Sequence, residues 1–164
     1  DDIAITELTP VPERFHSRLN ALGKTYRYRV ATGEGKNVFE RKQIYPLNQP
    51  LDVEAMRLGA ALLVGEKDFR GFSSMKKTKK STVRRLESVK IWELPGEVEF
   101  DFTGNGFLYN MVRILTGTLL EIGMGKREPE SIGEVFQKND RNLAGFTAPA
   151  RGLTLVEVFY PKNS

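Results

Sequence analysis

The sequence predicts an α+β fold in which helices cover one face of a mainly antiparallel sheet. The predicted elements follow the order strand, helix, two strands, two helices and strand. Two neighbouring strands joined by a short turn indicate antiparallel pairing, and one of them alternates between apolar and acidic side chains. Because 164 residues are enough for one hydrophobic core, we expect a single domain over 1–164.

Several segments alternate apolar and polar residues with the period of two that is typical of β-strands. They are a short stretch around Ile3 and Ile5, then 24–32, 83–93, 97–104 and 153–160. In 97–104, Val98, Phe100 and Phe102 alternate with acids, which indicates one buried and one solvated face. A Leu-Pro-Gly turn precedes this strand, so we expect a hairpin with the strand before it.

Three segments show the apolar periodicity of helices. They are 53–64, 107–122 and 129–137. Asp52 can cap the first helix and Gly65 can end it. Pro129 stands at a first-turn position, where its missing N–H breaks no helical hydrogen bond. The segments between, 33–50 and 75–82, indicate an irregular loop and a mobile basic loop.

The composition excludes several classes of protein. No apolar run reaches the roughly 18 residues that a membrane span requires. The residues before the first strand lack a basic start followed by an apolar stretch, so we expect no signal peptide. Without cysteine there is no disulfide, thiolate metal site or cysteine nucleophile, and the single histidine, His16, offers no metal cluster. We expect a cytoplasmic protein without a membrane partner. Since the chain begins with Asp1 rather than Met, we interpret it as a fragment of a longer polypeptide.

Positive charge is concentrated in two stretches. The stretch 76–85 holds six Lys or Arg and no acid, whereas the net charge of the whole chain is only +4. The stretch 14–29 holds five Lys or Arg, again without an acid. This distribution indicates a polyanion such as nucleic acid, although lysines that only favour solubility give the same pattern.

The helix predicted at 107–122 has one apolar face and a second face that is almost uncharged. Arg113 is its only charge before Glu121, and Gly106 and Gly117 on the second face indicate that another element approaches closely. We therefore expect this face to be covered and Arg113 to be partly buried. A buried guanidinium requires an anion, which is either a structural acid of this chain or a group supplied from outside.

The strand at 24–32 places Tyr26 and Tyr28 on one face and Arg27 and Arg29 on the other. An aromatic ring that stacks on an unpaired base contributes about 1–3 kcal/mol. Two half-buried sheet tyrosines would give the same pattern, so both interpretations stay open.

Five motifs resemble the second half of the tRNA pseudouridine synthase A (TruA) family, in the same order. They are FHSR at 15–18, GKTYRYRV at 23–30, DFRGF at 68–72, TGNGFLYNMVRILTGTLLEIGMG at 103–125 and TAPARGLTLVEVFYP at 147–161. The resemblance implies two similar α+β halves around one continuous sheet, an active cleft between them, and a homodimer that binds tRNA. The family isomerises uridines 38, 39 and 40 of the anticodon arm to pseudouridine, without metal or organic cofactor.

The same resemblance implies roles for individual residues. The family's nucleophilic aspartate lies in a G-R-T-D-x-G-V-H-A motif that this sequence lacks. It follows that an N-terminal half is missing and that the isolated chain is inactive. Tyr26 corresponds to the tyrosine that packs against the target base, and Arg113 to the arginine that pairs with the aspartate. The expected substrate-binding residues are Tyr26, His16, Arg18, Lys24, Arg27, Asn110, Lys76, Lys77, Lys79 and Lys80.

Two other functions remain open on the sequence alone. The chain could be an autonomous RNA-binding module that uses the same sheet and basic loop without catalysis. Alternatively, it could be a dimerisation domain whose apolar helix forms the interface.

Overall fold

The computed structural model describes residues 3–33, 38–76 and 79–161. In this part of the chain, three α-helices accompany one six-stranded sheet, which confirms the predicted α+β class. The strands are β1 (Gly23–Ala31), β2 (Tyr45–Pro46), β3 (Gly65–Asp68), β4 (Val83–Leu94), β5 (Glu97–Gly104) and β6 (Leu153–Phe159). The helices are α1 (Val53–Leu63), α2 (Met111–Gly123) and α3 (Ser131–Lys138).

The sheet is mainly antiparallel, with the order β2-β1-β5-β4-β3. β4 and β5 form the expected hairpin, and β5 pairs along most of β1. The other edge of β1 is shared: β6 pairs antiparallel with its first part, and β2 pairs parallel with its last two residues. The short strand β2 lies inside the segment 33–50 that the sequence analysis assigned to a loop.

The alternation in β5 determines which face of the sheet is buried. Val98, Phe100 and Phe102 are buried in one core with the inward faces of α1 and α2. The acids between them lie on the opposite face. In the register of the sheet, Tyr28 of β1 is paired with Phe100 and Tyr26 with Phe102. Tyr26 and Tyr28 therefore lie on the helix-covered side.

Two predictions about secondary structure were wrong. α2 begins at Met111 rather than at 107, because Asn110 has φ 60° and a left-handed residue interrupts a right-handed helix. The stretch around Ile3 and Ile5 forms no strand, and both side chains are almost fully exposed. Their alternation has no neighbouring strand with which to pair, and an unpaired strand is not stable in water.

The ends of α1 follow the sequence prediction closely. The Asp52 carboxylate accepts a hydrogen bond from the backbone N–H of Ala55 at 2.9 Å and so caps the helix. Gly65, with φ 106°, turns the chain from the helix into β3. Among the helices that the structure describes, none has the length and apolar character that a bilayer crossing demands.

Candidate active-site pocket

A pocket of about 200 Å³ opens between β1, the start of β6 and the turn that leads into α2. It is lined by Tyr26, by Leu153 and by the segment 107–113. Three of the residues singled out in the sequence, Tyr26, Asn110 and Arg113, therefore meet in one place. Their positions follow from the fold, because α2 packs against the face of the sheet on which Tyr26 of β1 lies.

Arg113 lies half-buried on the first turn of α2, and two hydrogen bonds fix its guanidinium. Nε donates to the backbone carbonyl of Ala148 at 2.6 Å, and Nη1 donates to Oδ1 of Asn110 at 3.0 Å. Within the described ranges, Nη2 has no hydrogen-bond partner and no carboxylate pairs with this guanidinium. The side chain is thus oriented by neutral groups while its positive charge stays uncompensated at the pocket wall.

The carbonyl of Ala148 belongs to a strap, residues 144–148, that lies across the second face of α2. The backbone N–H of Gly145 donates to the Thr118 hydroxyl at 2.9 Å, and the N–H of Ala148 donates to the Arg113 carbonyl at 3.1 Å. The strap therefore runs along the helix and is bonded to it at both ends.

Gly117 allows the strap to approach this closely. A Cβ at this position would lie 1.8 Å from the carbonyl oxygen of Phe146. The predicted cover of the second helix face is confirmed, and the cover comes from the chain itself. The sequence analysis missed residues 144–148 as the covering element. The almost uncharged second face and the glycine at 117 indicated a cover but not which residues provide it.

Asn110 has a double role in the pocket. Its left-handed backbone, which asparagine adopts more readily than most residues, turns the chain into α2. Its carbonyl then accepts a hydrogen bond from the N–H of Ile114 at 3.0 Å. Because the same residue holds Nη1 of Arg113, the turn and the guanidinium are positioned together.

The two tyrosines of β1 have different environments. Tyr26 is half-buried at the pocket, with its ring edge-to-face against Phe107 at a centroid distance of 5.2 Å. Its hydroxyl has no hydrogen-bond partner in the described part of the chain. Tyr28 is fully buried and its hydroxyl donates to the Pro149 carbonyl at 2.6 Å; burial raises the pKa of Tyr28 well above its usual value. Of the pair, Tyr26 is the one that a ligand can reach.

Arg27 and Arg29 lie on the opposite face of the sheet and are already paired with acids. The Nε of Arg27 lies 2.7 Å from Asp101, and Glu99 lies 3.0 Å from another of its nitrogens. Hydrogen bonds to Asp101 and to Glu97 raise the pKa values of Arg27 and Arg29, respectively. Arg27 was predicted to contact substrate, but these acids compensate its charge, and it is not part of the pocket.

Three further predicted residues, His16, Arg18 and Lys24, are not among the residues that line the pocket. His16 is exposed, and its Nδ1 accepts a hydrogen bond from the backbone N–H of Arg18 at 3.1 Å, which stabilises a local turn. Arg18 itself is exposed. Lys24 stands two residues before Tyr26, so it lies on the same face of β1.

The turn that leads from β5 into α2, residues 105–110, is here called the pocket turn. It is hydrogen-bonded to residues just before and at the end of the basic segment, residues 76–85. Just before it, the hydroxyl of Ser73 and the N–H of Ser74 donate to the carbonyl of Tyr109 at 3.2 and 3.1 Å. At its far end, Arg85 and Asn105 exchange two hydrogen bonds of 3.0 Å.

Most of the predicted lysines of this segment are exposed. Lys76, Lys79 and Lys80 have exposed side chains, and Lys77 lies outside the described residues. The sequence analysis did not single out Tyr109, whose exposed side chain lines the pocket. In the ranges that the structure covers, no cluster of three or more potential metal ligands occurs.

The sequence of the chain is similar to proteins of a known family. The family model described as tRNA pseudouridine synthase matches residues 60–161. The tRNA pseudouridine synthase A of Halalkalibacterium halodurans is 47% identical over 152 residues, covering 93% of this chain and 58% of the relative. The tRNA pseudouridine synthase A 1 of Bacillus cereus is 44% identical over 160 residues, covering 98% of this chain and 65% of the relative.

A third relative gives a similar result. The tRNA pseudouridine synthase A of Limosilactobacillus reuteri is 47% identical over 164 residues, covering 99% of this chain and 64% of the relative. The chain thus spans between 58% and 65% of the length of these relatives. Nearly the whole chain, including the strand with Tyr26 and the turn with Arg113, lies within these alignments. The chain therefore belongs to the tRNA pseudouridine synthase A family.

Proposed function

We propose that this chain is the RNA-binding half of an enzyme that isomerises uridine to pseudouridine at positions 38–40 of the tRNA anticodon arm. One observation carries the proposal: the Arg113 guanidinium is half-buried and fixed at a pocket, and no described carboxylate compensates its charge. An unpaired buried charge is unfavourable by several kcal/mol, so this arrangement favours an anion from another polypeptide segment. The relatives, which are named tRNA pseudouridine synthase A, support a synthase as the source of that segment. The family resemblance supplies the aspartate as the expected anion.

In the proposed reaction, the pocket receives a uridine that has left the base stack. A carboxylate of the missing half attacks the ribose or the base, and the bond from N1 to the ribose breaks. The uracil rotates and its C5 bonds to C1′ of the ribose. The bond between the carboxylate and the substrate breaks, a base removes the C5 proton, and N1 takes up a proton. Arg113 keeps the attacking carboxylate ionised and oriented, because a nearby positive charge favours the charged form of an acid.

Tyr26 serves the base rather than the carboxylate in this proposal. Its ring, held edge-on by Phe107, packs against the target uracil. Its hydroxyl has no hydrogen-bond partner among the described residues, and it is therefore available for proton transfer. The pocket of about 200 Å³ is small, in keeping with one base rather than a duplex.

Five described cations bind the phosphates of the tRNA in this proposal; all of them are exposed except Lys24, which is partly buried. They are Arg18, Lys24, Lys76, Lys79 and Lys80, together with Lys77 on the sequence alone. Phosphate contacts give an affinity that falls with salt and carries little sequence information. Ser73, just before the basic segment, and Arg85, at its end, are hydrogen-bonded to Tyr109 and Asn105 of the turn before α2. These bonds support a role of the segment in presenting the RNA to the pocket.

We also propose that the missing half extends the sheet beyond β6 and that the intact enzyme is a cytoplasmic homodimer. In the part of the chain that the structure describes, no strand pairs with the outer edge of β6. Leu155 and Val156 on this strand are about half exposed. An open strand edge is a template for another strand, so it is a suitable joint for the second half of a continuous sheet. The homodimer and the cytoplasmic location rest on the family resemblance.

A complementation assay tests the proposal. This chain is mixed with a first-half fragment of a relative that carries the G-R-T-D motif, and tritium release from C5-labelled tRNA is measured. We expect neither piece alone to be active and the mixture to release tritium, whereas a mixture with Arg113→Ala should not. A silent mixture in which the chain still binds tRNA tightly would favour the non-catalytic RNA-binding module.

A further inference from the structure

Tyr109 presents an exposed aromatic ring at the rim of the pocket. Its side chain is 66% exposed, although its neighbours Leu108 and Met111 are buried. It lines the same pocket as Tyr26 and Arg113. A single exposed aromatic residue is common on protein surfaces, so the ring's surroundings decide whether it has a function.

The backbone of Tyr109 is fixed by the residues that lead into the basic segment. Its carbonyl accepts hydrogen bonds from the Ser73 hydroxyl and from the N–H of Ser74. Ser73 is itself buried, and its oxygen also accepts a hydrogen bond from the N–H of Met75 at 3.1 Å. The ring therefore projects from a rigid support between the pocket and the basic segment.

The charges around this ring favour a polyanion. Lys76 follows Ser73 by three residues and is exposed. The Arg84 side chain lies against Gly106, since its Nε is 3.5 Å from where a Cβ of that glycine would stand. The segment 104–113, which contains the pocket turn and the start of α2, has no acid. An exposed flat ring with cations on the neighbouring segments matches the alternation of base and phosphate along a nucleic-acid strand.

We propose that Tyr109 forms a second base subsite, in which its ring stacks on the nucleobase next to the one that enters the pocket. This inference rests on the proposed function and deepens it. When a base leaves the stack, its neighbour loses a stacking partner, and an aromatic ring can replace it. The phosphates on either side of the stacked base lie against Lys76 and Arg84. Because every base has an aromatic face, the subsite accepts any base.

The test measures binding of an anticodon stem-loop RNA to this 164-residue chain by fluorescence anisotropy over a range of salt concentrations. A second RNA carries 2-aminopurine beside the target uridine, and its fluorescence reports stacking. Tyr109→Ala should weaken binding about 5- to 150-fold and abolish the quenching of 2-aminopurine, without changing the salt slope. Tyr109→Phe should bind within about twofold of the unsubstituted chain and keep the quenching, because the ring remains.

Two further variants serve as controls. Phe39→Ala removes an aromatic side chain that is 98% exposed and outside the pocket lining, and it should not change binding. Lys76→Ala should weaken binding and lower the salt slope, since it removes a charge. If Tyr109→Ala does not fold, Tyr109→Leu replaces it, because leucine keeps an apolar side chain but has no flat face.

The outcomes separate the subsite from the function. Unchanged affinity and quenching in Tyr109→Ala, in an assay where Lys76→Ala binds more weakly, would overturn the subsite and leave the proposed function standing. If the unsubstituted chain fails to bind the RNA, both the subsite and the proposed function are refuted.

Discussion

Replacing Gly117 with alanine should displace the strap and, with it, the guanidinium of Arg113. The new Cβ would lie 1.8 Å from the Phe146 carbonyl oxygen, about 1.6 Å short of the 3.4 Å at which ordinary contact begins. The obstructing atom belongs to the backbone, so no side-chain rotation relieves the clash. The Ala148 carbonyl, two residues along the strap, is bonded to Nε of Arg113 at 2.6 Å. A shift of this size breaks that hydrogen bond.

The size of the effect follows from these two changes. Overpacking destabilises a protein by about 1–3 kcal/mol, and the loss of a hydrogen bond to a charged group adds about 1.5–3 kcal/mol. For a chain of this length, the two together amount to about 2.5–6 kcal/mol and lower Tm by about 5–24 °C. Misplacing a catalytic group by about 1 Å reduces turnover by about 100-fold.

The assay combines calorimetry of this chain with single-turnover tritium release in the complemented enzyme. Gly133→Ala is the matched control, because nothing lies within 4 Å of a Cβ at that position in α3. Alanine there should keep full turnover and raise stability by roughly 0.5–1 kcal/mol. If Gly117→Ala retains both its Tm and its turnover, the strap does not position Arg113. A lower Tm with normal turnover would limit the strap to a structural role.

Three further predictions concern the proposed chemistry. Arg113→Ala should nearly abolish turnover but largely spare tRNA affinity, as checked by single-turnover kinetics and filter binding; normal turnover would remove Arg113 from the site. Tyr26→Phe keeps the ring and removes the hydroxyl, so a pH–rate profile like that of the unsubstituted enzyme would show that the hydroxyl transfers no proton. Exchanging Lys76, Lys79 and Lys80 for Glu should weaken tRNA binding and reduce the salt slope by about 0.7–0.9 per lost phosphate contact; an unchanged slope would favour the dimerisation domain.

Local periodicity predicted the elements that bury one face. The alternation in 97–104 matches β5, and the apolar stripe that follows Asp52 matches α1. Both could be predicted because a buried face gives apolar residues a regular spacing along the sequence. The start of α2 was missed because the left-handed backbone of Asn110 is stabilised by contacts with Arg113 and the helix that follows. An asparagine in a turn permits that geometry but does not by itself predict it.

The candidate site was predicted in its chemistry but not in its contacts. The sequence singled out Arg113 as a lone charge and Gly117 as a point of close approach. It could not identify residues 144–148 as the neighbour, since they lie about 30 residues further along the chain. Counting charges along the sequence likewise placed Arg27 in a basic stretch. The register of the sheet places Arg27 opposite Asp101, whose negative charge compensates the charge of the guanidinium.

Under the proposed function, the contrast between Arg27 and Arg113 also indicates which side of the sheet would receive the RNA. On the open face, a tRNA phosphate approaching Arg27 would meet Glu99 and Asp101, whose charges repel it and already occupy the guanidinium. On the helix-covered side, the pocket turn has no acid, and Arg113 has no carboxylate partner among the described residues. An anionic ligand therefore binds most favourably where the cations of the chain are not already neutralised by the chain's own acids. We therefore expect the proposed tRNA at the pocket end of the molecule, while the charged face of β1 and β5 stabilises the sheet.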